Sequence, residues 1–405
     1  MSEPTGAVRI LIVAPFPPRL DATHGGARVT AQVLTELAKR NPVALVYRRE
    51  PSERDVDDAV RSSCDVVRAV TPRAVRSRRF AKLVLMLRGT PIWAIDVGAD
   101  TMSPVVAEVA REWQPDVVQI EFAVTADAGA ELPEDLPVVV VDHDPGAATA
   151  KRALRARGST FQRMVRVLDL FTWRRFERRL LRSVSACVVF TDADRVALER
   201  YGIDVPIVCV PFALALPAEP LDPIGTEPPS ILFIGSFIHP PNVDAAFRLV
   251  HDIHPRVRAQ RPDVRLWIVG EQPPLTLQDE RSDAVVVTGR VDDVTPYLDQ
   301  AAVVVAPLRL GGGMRVKTWE AVAAGKALVA SPRAVAGFEL AHGEQVLLAD
   351  GDADFAAAIV ALVDDPEARA RLGAAARAWA TTTIDPDAPI RALEQLHARL
   401  LRGVE

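Results

Sequence analysis

Cysteine is scarce and scattered. Only Cys64, Cys187 and Cys209 occur in 405 residues, and none stands at a CxxC or other metal-ligand spacing. A disulfide scaffold or a zinc site therefore does not organise the fold, and reduced thiols in a cytosolic setting are expected. No apolar run approaches about 18 residues, so no membrane-spanning helix is expected. The opening residues, MSEPTGAVRILIVAPF, have no basic n-region and no long h-region, so they do not read as a secretory signal. Positive charge is not in excess: the formal net charge is −5, which gives no global pull toward nucleic acid. No repeat recurs at a fixed period, and no GxGxxG follows a strand, which argues against a nicotinamide cofactor.

What is present is ordinary for a globular protein. Hydrophobic residues make up 49% and charged residues 25%, and the length suits two or three domains, each with its own core. Residues 8–16, VRILIVAPF, read as a buried strand. A proline-broken loop and Gly25-Gly26 follow, then an amphipathic helix from about Ala27 with Val29, Val33, Leu34 and Leu37 inward. Residues 42–47 read as the next strand, and this βαβ start predicts a parallel sheet. Residues 116–122, 138–141, 185–190 and 207–210 supply further strands, with Thr191 or Asp192 capping the helix after the third of these. Residues 211–229 hold several prolines and little periodicity, which marks a linker. Strands restart at 231–234, 265–270, 285–289 and about 301–308, alternating with helices, so a second parallel sheet is expected. Residues 352–379 and 389–401 read as helical.

The chemistry concentrates in residues 306–331, APLRLGGGMRVKTWEAVAAGKALVAS. A strand runs into Gly311-Gly312-Gly313 and then into a helix on which Val316, Trp319, Val322 and Ala323 share one face. Glycines between a strand end and a helix start point backbone N–H groups outward, and the helix dipole favours an anion there. Arg315 and Lys317 place two cations in the first turn, which opposes the helix itself unless something negative docks. Glu320 follows one turn later and can reach hydroxyls beside a phosphate. A plain glycine turn with solvated cations is the alternative reading. Gly25-Gly26 lies at the carboxyl end of the first strand, where open α/β sheets bind ligands; a simple tight turn is the alternative. His143, between Asp142 and Asp144, sits at the end of the 138–141 strand, a position suited to acid–base or hydrogen-bonding work or to a purely structural role. Glu121, ending the preceding strand, is a weaker candidate for the same cleft.

Residues 306–331 resemble the donor segment of retaining, nucleotide-sugar-dependent glycosyltransferases of the GT-B fold, the group 1 or family 4-like enzymes. The resemblance covers most of the chain and is stronger over 230–350. It implies two Rossmann-like domains facing a cleft, residues 1–210 for the acceptor and 230–380 for the donor, joined by 211–229. It also implies a final helix, within 381–405, that crosses back to the first domain. Glu320 matches the glutamate that typically holds ribose hydroxyls. The family's other glutamate, eight positions earlier, is replaced here by Gly312, which leaves the sugar open. Arg315 and Lys317 match the branch that binds the diphosphate from this helix. Gly235, Ser236, Pro241, Asn242 and Asp244 match that branch's first donor loop, and Arg290 to Asp293 resembles the segment that reads the base. Gly311, Gly312, Gly313 and Met314 would let the diphosphate approach. His24, Gly25, Gly26, Glu121 and Asp144 fall on the acceptor side, with His143 near the sugar. The implied activity is hexosyl transfer with retention, with no metal or cofactor and with the nucleotide sugar as co-substrate. An epimerase of the same fold and a non-catalytic binding protein are the alternatives.

Two segments are rich in arginine and in large apolar residues: 73–88, RAVRSRRFAKLVLMLR, and 151–182, KRALRARGSTFQRMVRVLDLFTWRRFERRLLR. They read either as amphipathic helices with solvated arginines or as a cationic face resting on an anionic membrane near the acceptor. The second reading would make the protein cytoplasmic and peripheral on the inner membrane face. No nucleic-acid recognition motif accompanies the charge.

Overall fold

Strands of Val, Ile, Leu and Ala, buried on both faces, set the architecture, as parallel sheets covered by helices require. The computed structural model describes residues 6–22, 25–51, 53–71, 89–154, 160–210, 219–237, 239–291, 293–310, 316–383, 385 and 387–403. The first sheet joins β1 (Ile10–Ala14), β2 (Val43–Arg48), β3 (Val66–Val70), β4 (Val117–Glu121), β5 (Val138–Asp142), β6 (Ala186–Val189) and β7 (Ile207–Cys209) in the order 3-2-1-4-5-6-7. Every pairing is parallel; Ile10, for instance, registers with Val43 on one side and Val117 on the other. The second sheet joins β8 (Ser230–Ile234), β9 (Arg265–Val269), β10 (Val285–Val287), β11 (Val303–Ala306), β12 (Leu328–Ala330) and β13 (Leu347–Leu348) in the order 10-9-8-11-12-13, again parallel throughout. The chain is thus an α/β protein of two parallel-sheet lobes.

In each sheet the strand order reverses beside the first strand, between β1 and β4 and between β8 and β11. Such switch points leave a crevice at the carboxyl ends of the strands. Among the described residues, Glu121 and His143 lie at such ends in the first sheet and Gly235 and Ser236 in the second.

Local chemistry shifts some boundaries. The first helix is Gly25–Leu37, so the glycine pair forms its opening turn instead of a loop before it. The helical stretch expected over 352–379 is two helices, Asp352–Asp364 and Pro366–Thr383. Proline has no N–H to donate and disfavours helical backbone in the residue before it, so the first helix stops at Asp365. Thr191 is the N-cap of Asp192–Glu199, its hydroxyl oxygen accepting from the Asp194 N–H at 3.2 Å.

The last helix, Ala388–Arg402, returns to the first lobe. Ile390, Leu393 and Leu396 share a core with Ile10, Ile12, Val33 and Leu37. Glu394 accepts from Arg40 at 2.9 and 3.1 Å and from Asn41 at 2.9 Å. Residues 219–229 lie along the second lobe: the Leu221 N–H donates to the Ala324 carbonyl at 2.9 Å. The buried Lys326 ammonium donates to the Asp222 and Asp299 carbonyls, the latter at 3.0 Å. Among the described residues no helix is long and apolar enough to cross a membrane.

Leu393→Ala should destabilise the first lobe by about 2–4 kcal/mol, the usual cost of a large-to-small core change. Denaturant unfolding checks this; a change near zero would show that the returning helix is docked loosely.

Candidate active site

Two helix starts meet across the cleft between the lobes. In the first lobe, β1 leads to the helix Gly25–Leu37; in the second, β11 leads to the helix Val316–Ala323. A Cβ added at Gly25 would lie 2.8 Å from Cγ2 of Val316, so the contact needs glycine on one side. One turn further in, Arg28 of the first lobe forms an ion pair with Glu320 of the second, both largely withdrawn from water. Backbone N–H groups at helix starts carry partial positive charge, and here two such ends converge.

Lys317 stands in the first turn of Val316–Ala323. Its ammonium donates to Asn242 Oδ1 at 2.6 Å and lies 5.3 Å from the centre of the Phe233 ring. Asn242 in turn donates from Nδ2 to the Ser236 carbonyl at 2.7 Å. The loop after β8 is therefore tied to the helix that carries the cation. It is also tight: a Cβ at Gly270 would fall 1.9 Å from the Gly235 carbonyl oxygen, and Gly270 has φ +148. The Ser236 hydroxyl is buried with no hydrogen-bond partner, an orphan polar group at the mouth of the second sheet. His239, just before the helix Pro240–Arg248, is neutral near pH 7, because burial and Lys317 push its pKa down to about 4. The cation at 317 thus faces neutral donors and acceptors.

In the first lobe, β4 and β5 end side by side and bring Glu121 and His143 together. His143 Nε2 lies 2.7 Å from Glu121 Oε2, with both residues buried. Gln119 donates to Glu121 Oε1 at 2.6 Å, and Thr30 of the first helix donates to Oε2 at 3.4 Å. With Glu121 accepting at Nε2, Nδ1 is the imidazole nitrogen left for other chemistry. The ring stacks on Phe122 at 3.7 Å and meets Phe190 edge-on at 4.7 Å. Phe122 holds φ +65, a backbone strain that clusters at functional sites. Asp144 instead accepts from Thr149 at 3.0 and 3.2 Å within the turn of the next helix.

Of the residues expected on sequence grounds, the structure brings Glu121 and His143 together in one lobe. In the other it joins Ser236, Asn242 and Lys317, with Gly235 beneath. Gly25 lies against Val316 at the interface, Gly26 follows it in the opening turn of the helix, and Glu320 faces Arg28. Arg290 is exposed at the carboxyl end of the second sheet. His24, Gly311, Gly312, Gly313, Met314 and Arg315 lie outside the described residues. Sequence reasoning missed Arg28, Gln119, Thr30 and His239. Gln119 was within reach, since it shares a strand face with Glu121 at i, i+2.

A buried acidic group lies beside the start of the helix that follows His143. Glu177 accepts from the Ala147 N–H at 2.8 Å and the Tyr201 hydroxyl at 2.6 Å. Burial pushes its carboxyl up to about 7. Burial, reinforced by Glu177 and Asp144, holds Asp142 well above the carboxylate range. Among the described residues no group of His, Cys, Asp and Glu is placed to hold a metal ion.

Residues 228–365 match the family model Glycosyl transferases group 1. The chain is similar to an "Uncharacterized 44.6 kDa protein in cps region" from Klebsiella pneumoniae, with 21% identity over 140 residues; the match spans 32% of this chain and 36% of that relative's length. Sucrose-phosphate synthase from Thermosynechococcus elongatus superposes with a TM-score of 0.70 at 17% identity, over 98% of this chain and 100% of that one. Anabaena Alr3699/HepE, solved in complex with UDP and glucose, superposes with a TM-score of 0.60 at 14% identity, over 98% and 99%. The likeness to these structures shows the fold, GT-B, with two parallel-sheet lobes. The family-model match is confined to residues 228–365, within the second lobe.

The raised Glu177 carboxyl predicts a pH-dependent stability. The folded chain keeps a proton that the unfolded chain releases, so the stability Glu177 contributes is fully present below about 4.5 and is lost as pH rises through about 7. Glu177→Gln should flatten part of that decline, with Asp142 accounting for the remainder. Thermal midpoints measured across this window check it; an unchanged slope would show that Glu177 does not hold the proton.

Proposed function

We propose that the protein transfers a glycosyl group from a nucleoside-diphosphate sugar to an acceptor bound on the first lobe, with retention of configuration and without a metal. The observation that carries this reading is Lys317. It is fixed by Asn242 in the first turn of a helix at the carboxyl end of the second sheet, opposite a second helix start. A departing diphosphate needs its developing charge stabilised. A positioned ammonium, helix N–H groups and an arginine can supply this in a water-poor cleft. Arg315 is the second cation of the proposal, and residues 311–313 let the diphosphate approach. Glu320 would bind ribose hydroxyls in place of Arg28. The orphan Ser236 hydroxyl suits the same ligand. Across the cleft, His143 held by Glu121 would face the sugar or the acceptor hydroxyl with Nδ1. The resemblance supports retention, and a front-face path assisted by the leaving phosphate requires no enzymic nucleophile.

The helix Thr160–Leu181 supports a peripheral membrane location at the inner face. Met164, Val167 and Phe171 are exposed at i, i+3 and i+7, beside Arg163, an amphipathic pattern suited to an anionic interface. Residues 73–88 lie outside the described residues.

Lys317→Ala and Arg315→Ala should each lower kcat by about 10²–10³-fold and weaken nucleoside-diphosphate binding, in assays with a panel of nucleotide sugars. Activity and affinity near wild type in both variants would overturn the assignment, whereas isomerisation without transfer would point to an epimerase. Flotation should be greater with anionic than with neutral vesicles and should fall on Phe171→Ala; equal recovery with both lipids would remove the membrane contact.

A further inference from the structure

Beyond His143 the chain turns into the helix Gly146–Ala153, and beside that helix lies a cavity of about 510 Å³. Five cationic residues line it: Lys151, Arg174, Arg178, Arg200 and, from the second lobe, Arg333. Only one carboxylate, Glu177, reaches the lining, and both its oxygens are already taken by Ala147 N–H and the Tyr201 hydroxyl. Arg174 and Arg178 are one turn apart on the helix Thr160–Leu181, a like-charge spacing that opposes the helix. Their neighbour Arg179 is paired with Asp127 at 3.2 Å. Among the described residues, Lys151, Arg174, Arg178 and Arg200 have no ion pair; Arg178 instead lies 5.3 Å from the centre of the Tyr201 ring. Uncompensated guanidinium groups on a concave surface are the usual recognition element for phosphate, which they bind in forked pairs.

The position is as telling as the charge. Pro145 and Ala147 line the cavity two and four residues after His143. Arg333 precedes Ala334, whose carbonyl accepts from Thr318 at 2.6 Å on the helix of Lys317. Both lobes therefore contribute to the lining. The volume suits a phosphate with part of its ester.

We propose that this cavity is the acceptor subsite and takes an acceptor bearing a phosphate or diphosphate group. The inference rests on the transfer reading above, since it names the acceptor class for that reaction. The phosphate belongs either to a soluble ester or to a lipid.

The test uses the full chain with its donor site filled by whichever nucleoside diphosphate binds, and butyl phosphate as titrant. Butyl phosphate should bind wild type and be weakened at least 10-fold by Arg174→Ala combined with Arg178→Ala, with nucleotide affinity unchanged; that unchanged affinity also reports an intact fold. Arg200→Gln should weaken it in the same direction. Loss of flotation on phosphatidylglycerol vesicles in the double variant would assign the phosphate to a lipid, and retained flotation would assign it to a soluble ester. No butyl phosphate binding to wild type, or equal binding to the double variant, would overturn the subsite. Failure of every nucleoside diphosphate to bind would instead strike the transfer reading, and the butyl phosphate comparison would still be readable without nucleotide.

Discussion

The close approach of two helix starts is the constraint on which the rest of the structure depends. Gly25 admits Val316 because it has no side chain, and Arg28 meets Glu320 just inside that contact. Each helix directs its partial positive charge into the same gap. Such an arrangement is unfavourable for the protein alone and favourable once an anion lies between the ends. The strand ends, the tied loop at Ser236 and Asn242, and the position of Lys317 all follow from holding those two ends in register.

The first lobe contributes a second, largely uncharged surface. His143 is braced on three sides: Glu121 at one ring nitrogen, Phe122 beneath the ring and Phe190 at its edge. The same first helix that supplies Arg28 to the interface supplies Thr30 to Glu121. The anion gap and the histidine are therefore positioned by one rigid element, which fixes their separation more closely than loops could.

The strands were legible because they are runs of β-branched and aliphatic residues between turn residues, and two such series make two sheets almost unavoidable. The helix that carries Lys317 was legible for a local reason: its apolar spacing is continuous from Val316 to Ala323 in sequence. Partnerships across the chain were not. Nothing near Arg28 announces Glu320, and although adjacent strand ends set Glu121 toward the cleft of His143, their direct contact arises only when the strands are assembled. Glu177 misled most. Within WRRFERRL it reads as one solvated charge among many, yet it is buried behind Trp173 and Phe176, where Gly146 leaves room for the Trp173 ring. The helix starting at Gly25 instead of Ala27 has a similar origin, since tertiary contact with Val316 outweighs the weak helical preference of glycine.

The returning helix Ala388–Arg402 has a mechanical meaning. The polypeptide passes between the lobes once before β8 and again before Ala388, and its end is anchored by Leu393 and Glu394. A body tethered at one point can swivel in any direction, whereas one tethered at two is restricted to swinging about the line that joins them. Two covalent passages between the lobes thus limit how far the walls of the cleft can separate.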